Sequence, residues 1–368
     1  MKNVNKIIKD VVFGLAVTAV GLWVPHTADA CTGITLKSQD GATVLARTIE
    51  WGGSYLNSRY VVVPRGYVQQ SYVPGGQKNG LEFTAVYGYV GIAVELEDFV
   101  ADGLNEAGLA AGLFYFPHYG SYEAYDEGQR ESTLSDLQLV PWMLSQFKTV
   151  DEVKEALGTV HVVSSDPRAS TAHWRIADAS GRQVVLEIVD GIPHFYENEL
   201  GVLTNSPGFE WQMTNLNNYV NLYAGVAEAK PFGKVKLAAF GAGSGFLGIP
   251  GDVTPPSRFV RAAFYQTSSP VQATAQKTVL QAFQILNNFD IPVGIEFADA
   301  KVPADIPSAT QWTSAIDLTN RRVYYKTAYN NTIRCIDLAQ IDFGKSSYQS
   351  HPLDRIQEQP VEMVVLPE

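Results

Sequence analysis

The sequence predicts an α+β protein whose antiparallel sheets are covered by helices. Strand-like runs rich in β-branched and aromatic residues follow one another in consecutive hairpins, which is typical of antiparallel pairing. Helical segments lie between blocks of strands and do not alternate with single strands, so a doubly wound parallel sheet is disfavoured. With 368 residues, 46% of them hydrophobic and 18% charged, the chain can bury a large core. We expect one domain, spanning residues 31–368.

The first thirty residues have the composition of a secretory signal peptide. Three lysines stand within the first nine positions, an apolar run covers residues 11–24, and Ala28-Asp29-Ala30 fits the small-x-small rule for cleavage. The apolar run is shorter than the ~20 residues that a membrane span needs. The sequence therefore predicts cleavage after Ala30, export to the periplasm or beyond, no stable membrane association afterwards, and Cys31 as the first mature residue. An uncleaved anchor and a lipid-modified Cys31 are the alternatives.

The mature chain is predicted to begin in a β-hairpin. Residues 32–36 and 42–49 form its two strands, and Asp40-Gly41 supplies the turn. Further strands are predicted at residues 60–64, 81–86, 90–96, 107–116, 171–177, 183–189, 311–317 and 321–328.

Three stretches have helical periodicity: residues 134–149 continued by 151–157, residues 210–224, and residues 257–286. Ser132 and Thr133 are expected to cap the first of these, and Pro141 is expected to kink or split it. The Gly/Pro-rich residues 233–256 are predicted to form a long loop, of the kind that serves as a lid or a rim beside a site.

Composition and motifs argue against several classes of function. A net charge of −11 disfavours a nucleic-acid partner, and the six histidines include no i,i+4 pair, so neither a metal nor a cofactor is predicted. The serine-hydrolase motif fails at Ser244, because residue 242 is alanine. Residues 243–248 match Gly-x-Gly-x-x-Gly, but Ile249-Pro250 follows where a helix should begin. Residues 145–148 match Ser-x-x-Lys without the other β-lactamase motifs.

The chain has two cysteines, Cys31 and Cys335. In an exported protein a lone pair can form a disulfide, and that alternative stays open at this point. A cysteine exposed by cleavage has a second use, because its own α-amine, with a reference pKa near 8, can accept the proton of its thiol. A nearby arginine would favour the thiolate. Arg47, on the second strand of the first hairpin, is the candidate.

Five sequence blocks in a fixed order then resemble the choloylglycine hydrolase and penicillin V acylase family of N-terminal nucleophile hydrolases. They are residues 31–33 (CTG), 46–52 (ARTIEWG), 102–109 (DGLNEAGL), 203–207 (LTNSP) and 256–261 (PSRFVR). The resemblance extends from Cys31 to about Tyr325. It implies an αββα four-layer sandwich with two antiparallel sheets, and a possible homotetramer.

The resemblance also implies roles for individual residues. Cys31 would be the nucleophile, Arg47 and Arg258 would line the catalytic centre, and Asn205 would donate its amide to the oxyanion together with a backbone N–H near Phe114 or Tyr115. Each has a structural alternative: Asn205 suits a turn before Ser-Pro, and either arginine could face solvent. For the arginines and for Asn205, the five blocks together favour the catalytic interpretation.

Two further expectations concern Glu50 and the aromatic residues. The family usually has an aspartate at the position of Glu50, and this carboxylate is expected to hold the α-amine of Cys31. Trp51, Phe114 and Tyr115 are expected to bind the substrate as part of an aromatic wall, with core packing as the alternative.

The predicted function is hydrolysis of a linear amide with an apolar acyl group, through a cysteine thioester. Candidate substrates implied by the resemblance are penicillin V, which is slightly favoured, conjugated bile salts and N-acyl homoserine lactones. The alternative from another class is a non-catalytic exported binding protein, in which Cys31 is lipidated or bonded to Cys335.

Overall fold

A computed structural model describes residues 31–51, 55–166, 170–295 and 309–366. The predicted signal peptide, residues 1–30, lies outside these ranges, so its cleavage stays a prediction. Nineteen strands are described: β1 Cys31–Lys37, β2 Thr43–Trp51, β3 Arg59–Val63, β4 Val68–Tyr72, β5 Lys78–Thr84, β6 Tyr89–Ala93, β7 Val100–Asn105, β8 Ala110–Tyr115, β9 Thr133–Ser135, β10 His161–Val163, β11 Ala172–Ala177, β12 Gln183–Val189, β13 Ile192–Glu197, β14 Lys230–Phe232, β15 Val235–Leu237, β16 Ala309–Asp317, β17 Arg322–Thr327, β18 Arg334–Asp337 and β19 Gln349–Pro352.

Five α-helices are described within the same ranges: α1 Leu139–Gln146, α2 Val150–Leu157, α3 Phe209–Asn215, α4 Pro255–Ser268 and α5 Ala275–Leu286. In the part of the chain that the structure covers, no helix is long and apolar enough to cross a membrane.

Two antiparallel sheets form the centre of the molecule. The first has five strands in the order β1-β2-β16-β17-β18, and the second has eight in the order β13-β12-β11-β8-β7-β6-β3-β19. Helices α4 and α5 pack on the first sheet, whereas α1 packs on β7 and β8 of the second. Since the two sheets also contact each other through buried residues, the predicted four-layer αββα sandwich is confirmed.

The contact between the two sheets is partly polar, which is unusual for the inside of a sandwich. Arg175 of β11 donates to the backbone carbonyls of Ile34 and Ala46 across the interface, at 3.2 Å each. Ser314 of β16 donates to Asp102 of β7 at 2.7 Å. Charged groups are costly to bury unless they are paired, so this layer indicates that the sheets enclose a functional centre.

The first hairpin matches the prediction. Strands β1 and β2 pair in register from Cys31 opposite Ile49 to Lys37 opposite Thr43. The turn between them includes Gly41 at φ 87°, a left-handed conformation that glycine adopts without a steric penalty.

The helix predicted at residues 134–149 begins later than its periodicity suggests. Thr133–Ser135 is a strand that pairs in parallel with β10, Asp136–Gln138 is a 3-10 turn, and α1 begins only at Leu139. Pro141 therefore stands in the first turn of α1, where no N–H is needed, and the prediction of a kink or split is wrong.

The other two helical segments are also shorter than predicted. Residues 257–286 divide into α4 and α5 because Pro270 in the connection cannot continue a helix. The segment 210–224 ends as a helix at Asn215 and continues as a 3-10 turn to Tyr219. Part of the predicted loop 233–256 is strand β15, which pairs with β14 in a small hairpin.

Candidate active site

Cys31 and Arg47 meet because of the register of the first hairpin. Gly33 stands opposite Arg47, and Cys31 lies two residues further along the same face of β1. The result is a contact of 2.9 Å from Arg47 Nη2 to Cys31 Sγ, with both residues buried. A guanidinium at this distance favours the thiolate form of the cysteine.

The guanidinium of Arg47 is held by backbone carbonyls and by an aromatic ring. Its Nη1 donates to the carbonyls of Leu113 and Ala101, the latter at 3.2 Å. Its guanidinium carbon lies 4.1 Å from the centroid of the Phe114 ring. Arg47 is fully buried, so the alternative of a surface cation does not apply.

Asn205 reaches the cysteine because its segment is attached to β1. Gly33 and Leu203 exchange two backbone hydrogen bonds, at 2.7 and 3.1 Å, in an isolated antiparallel bridge. Asn205 Oδ1 then accepts from the backbone nitrogen of Cys31 at 2.7 Å. Its Nδ2 donates one hydrogen to the carbonyl of Tyr115 at 2.7 Å. The amide of Asn205 is thereby fixed beside the thiol.

Arg258 lies in the first turn of α4 and is fully buried. Its Nη1 donates to the backbone carbonyl of Cys31 and, at 2.8 Å, to Thr32 Oγ1. Its Nη2 donates to Asn205 Oδ1 at 2.8 Å. Arg258 therefore links the strand that carries the cysteine to the segment that carries Asn205, and it is not a helix residue left in solvent.

Glu50 is buried in the same centre, and burial raises its pKa to about 7. The positive charge of Arg258, hydrogen bonds from Thr48 and Thr310, and the charge of Arg47 oppose that rise. Thr310 Oγ1 donates to Glu50 Oε1 at 2.9 Å, whereas Oε2 has no hydrogen-bond partner within the described part of the chain. Buried polar atoms seldom lack a hydrogen-bond partner, so Oε2 is a position that a further donor can occupy.

The nitrogen of Cys31 bonds to Asn205 here and not to Glu50. In the 368-residue chain this nitrogen is a peptide amide with one hydrogen, and that hydrogen is used by Asn205. An α-ammonium group has three, so cleavage after Ala30 would add donors at this point.

Several neighbours act on the pKa of the Cys31 thiol. The net result is a raised pKa, because burial has the largest effect, and the negative charge of Glu50 acts in the same direction. The charges of Arg47 and Arg258 lower it, as does a hydrogen bond from the backbone N–H of Tyr115. The thiol therefore depends on its arginines to be reactive.

The three aromatic residues expected to bind substrate occupy different environments. Phe114 is fully buried, and the centroid of its ring is 4.1 Å from the guanidinium carbon of Arg47 and 5.6 Å from that of Arg175. This ring packs in the core and supports Arg47, contrary to the expectation of a substrate contact. Trp51 and Tyr115 are only partly buried, and their contact with a substrate stays a prediction.

Sequence reasoning assigned no role to the titratable residues behind the site. Asp102, Arg175, His173 and Glu187 are all buried between or beside the strands of the second sheet. The signal is in the sequence, since each of the last three stands within a run that is predicted to be a strand. A charged residue in such a run indicates a buried polar contact.

The two cysteines are not bonded. Cys31 is buried in β1 and Cys335 is exposed in β18, at opposite edges of the five-stranded sheet with three strands between them. At about 4.8 Å per strand the separation is roughly 19 Å, far beyond the reach of a disulfide. The disulfide alternative is therefore wrong.

Among the residues that the structure describes, no group of His, Cys, Asp and Glu is arranged to hold a metal ion.

Comparison with known proteins agrees with this geometry. Residues 31–351 match the model of the family described as linear amide C–N hydrolases, choloylglycine hydrolase family. The chain belongs to the choloylglycine hydrolase family. It is therefore a C–N amide hydrolase of the bile salt hydrolase and penicillin V acylase type, which confirms the predicted family and enzyme class.

The relatives of this chain include bile salt hydrolases and a penicillin V acylase. A bile salt hydrolase/transferase of Clostridium perfringens is 35% identical over 84% of this chain and 92% of its own length. A penicillin V acylase of Pectobacterium atrosepticum is 26% identical over 96% of this chain and 92% of its own length. The solved structure of a mutant conjugated bile acid hydrolase from Clostridium perfringens superposes with a TM-score of 0.77 and 30% identity, covering 91% of this chain and all of that one.

Proposed function

We propose that the mature protein, beginning at Cys31, hydrolyses a linear amide with an apolar acyl group through a thioester on Cys31. The observation that carries this proposal is the contact of 2.9 Å between Arg47 Nη2 and Cys31 Sγ, in a centre that also holds Asn205 and Arg258. The family match begins at residue 31, which is the residue that the predicted cleavage would expose. Removal of residues 1–30, with export to the periplasm or beyond, is part of the proposal.

In the first half of the proposed reaction, the α-amine of Cys31 takes the thiol proton and Sγ attacks the carbonyl carbon of the amide. The carbonyl oxygen becomes an oxyanion, which accepts hydrogen bonds from the second hydrogen of Asn205 Nδ2 and from the backbone N–H of Tyr115. The α-ammonium then gives its proton to the leaving nitrogen as the C–N bond breaks. An acyl thioester and a free amine result.

In the second half, the α-amine takes a proton from water while the oxygen of that water attacks the thioester carbon. The C–S bond breaks, the carboxylic acid leaves, and the proton returns to sulfur. Arg47 stabilises the sulfur anion when the thiol loses its proton and again when the C–S bond breaks. Glu50 Oε2 accepts a hydrogen bond from the α-ammonium. Trp51 and Tyr115 contact the acyl group.

Two substrate classes follow from the names of the relatives: conjugated bile salts and penicillin V. The higher sequence identity is with the bile salt enzymes. The resemblance slightly favours penicillin V, because the bile salt enzymes often carry an asparagine near the position of Phe114 or Tyr115. N-acyl homoserine lactones are a third class with the same chemistry. The homotetramer implied by the resemblance stays a prediction.

The test is a side-by-side assay of the mature protein with penicillin V, a glycine-conjugated bile salt and an N-acyl homoserine lactone. We expect turnover of at least one, and a loss of at least about 10²-fold in Cys31→Ser, since serine is a far weaker nucleophile at neutral pH. A mass increase equal to the acyl group on Cys31 would identify the thioester. Full activity in Cys31→Ser would refute the mechanism, and a mature terminus carrying lipid would favour the exported binding protein.

A further inference from the structure

A buried imidazole lies behind the residues that supply both oxyanion donors. His173 of β11 is fully buried, stands opposite Phe114 in the sheet, and stacks on the ring of Phe116 with centroids 4.4 Å apart at an angle of 6°. It contacts the Phe114 ring edge-on at 6.2 Å. Tyr115, whose backbone N–H faces the thiol, stands between Phe114 and Phe116 in the sequence.

The same imidazole holds the segment that carries Asn205. His173 Nε2 lies 2.9 Å from the carbonyl oxygen of Thr204, the residue directly before Asn205. A carbonyl oxygen can only accept, so Nε2 carries a hydrogen. On the other side of the ring, His173 Nδ1 lies 3.1 Å from Glu187 Oε1. The imidazole therefore bridges a fixed carboxyl group and the backbone of the Asn205 segment.

Glu187 holds the other end of that segment. Its Oε1 also accepts from the backbone N–H of Phe209 at 2.8 Å, at the first residue of α3. Glu187 is buried, and its strand β12 pairs with β11 in the second sheet. Thr204 and Phe209 are thus both tied to one buried pair, and Asn205 lies between them.

We propose that His173 and Glu187 are positioning residues for the oxyanion site, acting through Asn205 and Tyr115 without touching the substrate. This inference rests on the proposed function. Donors that are fixed before the reaction stabilise a developing charge at no cost of reorganisation, and small displacements weaken them. Loss of the pair should therefore affect the transition state more than substrate binding.

Three variants separate positioning from general stability. His173→Gln supplies an NH₂ group with two hydrogens, but both are on one nitrogen, so it cannot reach Glu187 and Thr204 from two sides as the ring nitrogens Nδ1 and Nε2 do. Glu187→Leu removes the acceptor for both His173 and Phe209. Glu187→Gln keeps an oxygen at the position of Oε1, which can accept from both Phe209 N and His173 Nδ1, so it preserves these contacts without the negative charge.

A matched control is Gln138→Leu. Gln138 is also buried and also bonds to two backbone groups, accepting from Tyr72 N at 2.7 Å and donating to the carbonyl of Gln70 at 3.1 Å. It belongs to the turn before α1, on the helix side of the second sheet.

The readouts are kcat, KM and the rate at which iodoacetamide alkylates Cys31 in the mature protein. Alkylation forms no oxyanion, so it reports on the thiol alone. We expect His173→Gln and Glu187→Leu to lower kcat at least ~10-fold, with KM and the alkylation rate within about 3-fold of wild type. Glu187→Gln and Gln138→Leu should keep kcat within about 3-fold.

Two results would overturn the inference while leaving the proposed function in place: unchanged kcat in His173→Gln, or parallel losses of kcat and alkylation rate. Should Glu187→Leu fail to fold, His173→Gln and Glu187→Gln still decide between these outcomes. A wild-type protein that hydrolyses none of the three substrates would refute the proposed function itself, and the inference with it.

Discussion

The guanidinium of Arg47 lies over the ring of Phe114, with 4.1 Å between the guanidinium carbon and the ring centroid. Through this contact a side chain of the eight-stranded sheet supports the group that faces the thiol on the five-stranded sheet. Cation–π contacts away from water are worth up to about 2 kcal/mol, and this one also fixes the orientation of the guanidinium.

Replacement of that ring should reduce catalysis as well as stability. In Phe114→Leu we expect the free energy of unfolding to fall by about 1–2 kcal/mol, and kcat to fall about 3- to 10-fold, because Arg47 loses one face of its support. Phe83→Leu is the control, since Phe83 is also buried but lies in β5. Urea unfolding and steady-state kinetics of the two variants check the prediction, and equal kcat values in both would contradict it.

Gly33 should tolerate no side chain. A Cβ at this position would lie 2.9 Å from Phe114 Cζ and 3.2 Å from Arg175 Nη1. Both neighbours are buried, so Gly33→Ala should cost about 1–3 kcal/mol in the free energy of unfolding and lower kcat through Phe114. Gly241→Ala is the control, because nothing lies within 4 Å of its Cβ position. A Gly33→Ala protein with wild-type stability would contradict the prediction, because the two sheets would then have moved apart at no cost to make room for the Cβ.

Glu50 should matter in catalysis through its charge. If Oε2 accepts a hydrogen bond from the α-ammonium of Cys31, Glu50→Gln should lower kcat roughly 10- to 100-fold and change KM less, since a hydrogen bond to a charged group is worth about 1.5–3 kcal/mol. Glu50→Asp should be close to wild type or better, because it restores the usual residue of the family. The control is Glu82→Gln, because Glu82 is exposed on β5. Full kcat in Glu50→Gln would remove Glu50 from the mechanism.

The raised pKa of Glu50 predicts a pH effect on the stability of the uncleaved chain. With a pKa of about 7 in the folded state and 4.5 in the reference state, the folded protein binds more protons between these pH values. The contribution of Glu50 to stability is therefore largest below pH 4.5 and is lost as the pH rises through 7, by up to about 3 kcal/mol. The check is urea unfolding of wild type and Glu50→Gln at pH 5 and pH 8. The free energy of unfolding should decrease less between pH 5 and pH 8 in the variant than in wild type.

Cleavage should be necessary for activity. Full-length protein with a verified Met1 terminus should be inactive, because the nitrogen of Cys31 is then a peptide amide without a basic lone pair. The comparison is with protein that begins at Cys31, assayed on the same substrate with both termini confirmed by mass. Comparable rates would contradict the proposal that the α-amine acts as the base.

The sequence by itself determined the family, the strand-rich α+β class and the hairpin that begins at Cys31. These features depend on local order along the chain. Five blocks in a fixed order carried the family prediction, and residue alternation with an Asp-Gly turn set the register that brings Cys31 to Arg47. The partly buried Trp51 and Tyr115 agree with their predicted places near the site, although no finding tests their contact with a substrate.

Tertiary structure alone decided which charged and aromatic groups are buried together. Phe114 was expected to meet the substrate, but the packing of the two sheets buries its ring against Arg47 and Arg175. His173 and Glu187 come from different strands, and the segment that they hold lies more than fifteen residues further along the chain. Such contacts depend on how sheets stack and how distant loops return, and periodicity along one strand contains no information on either.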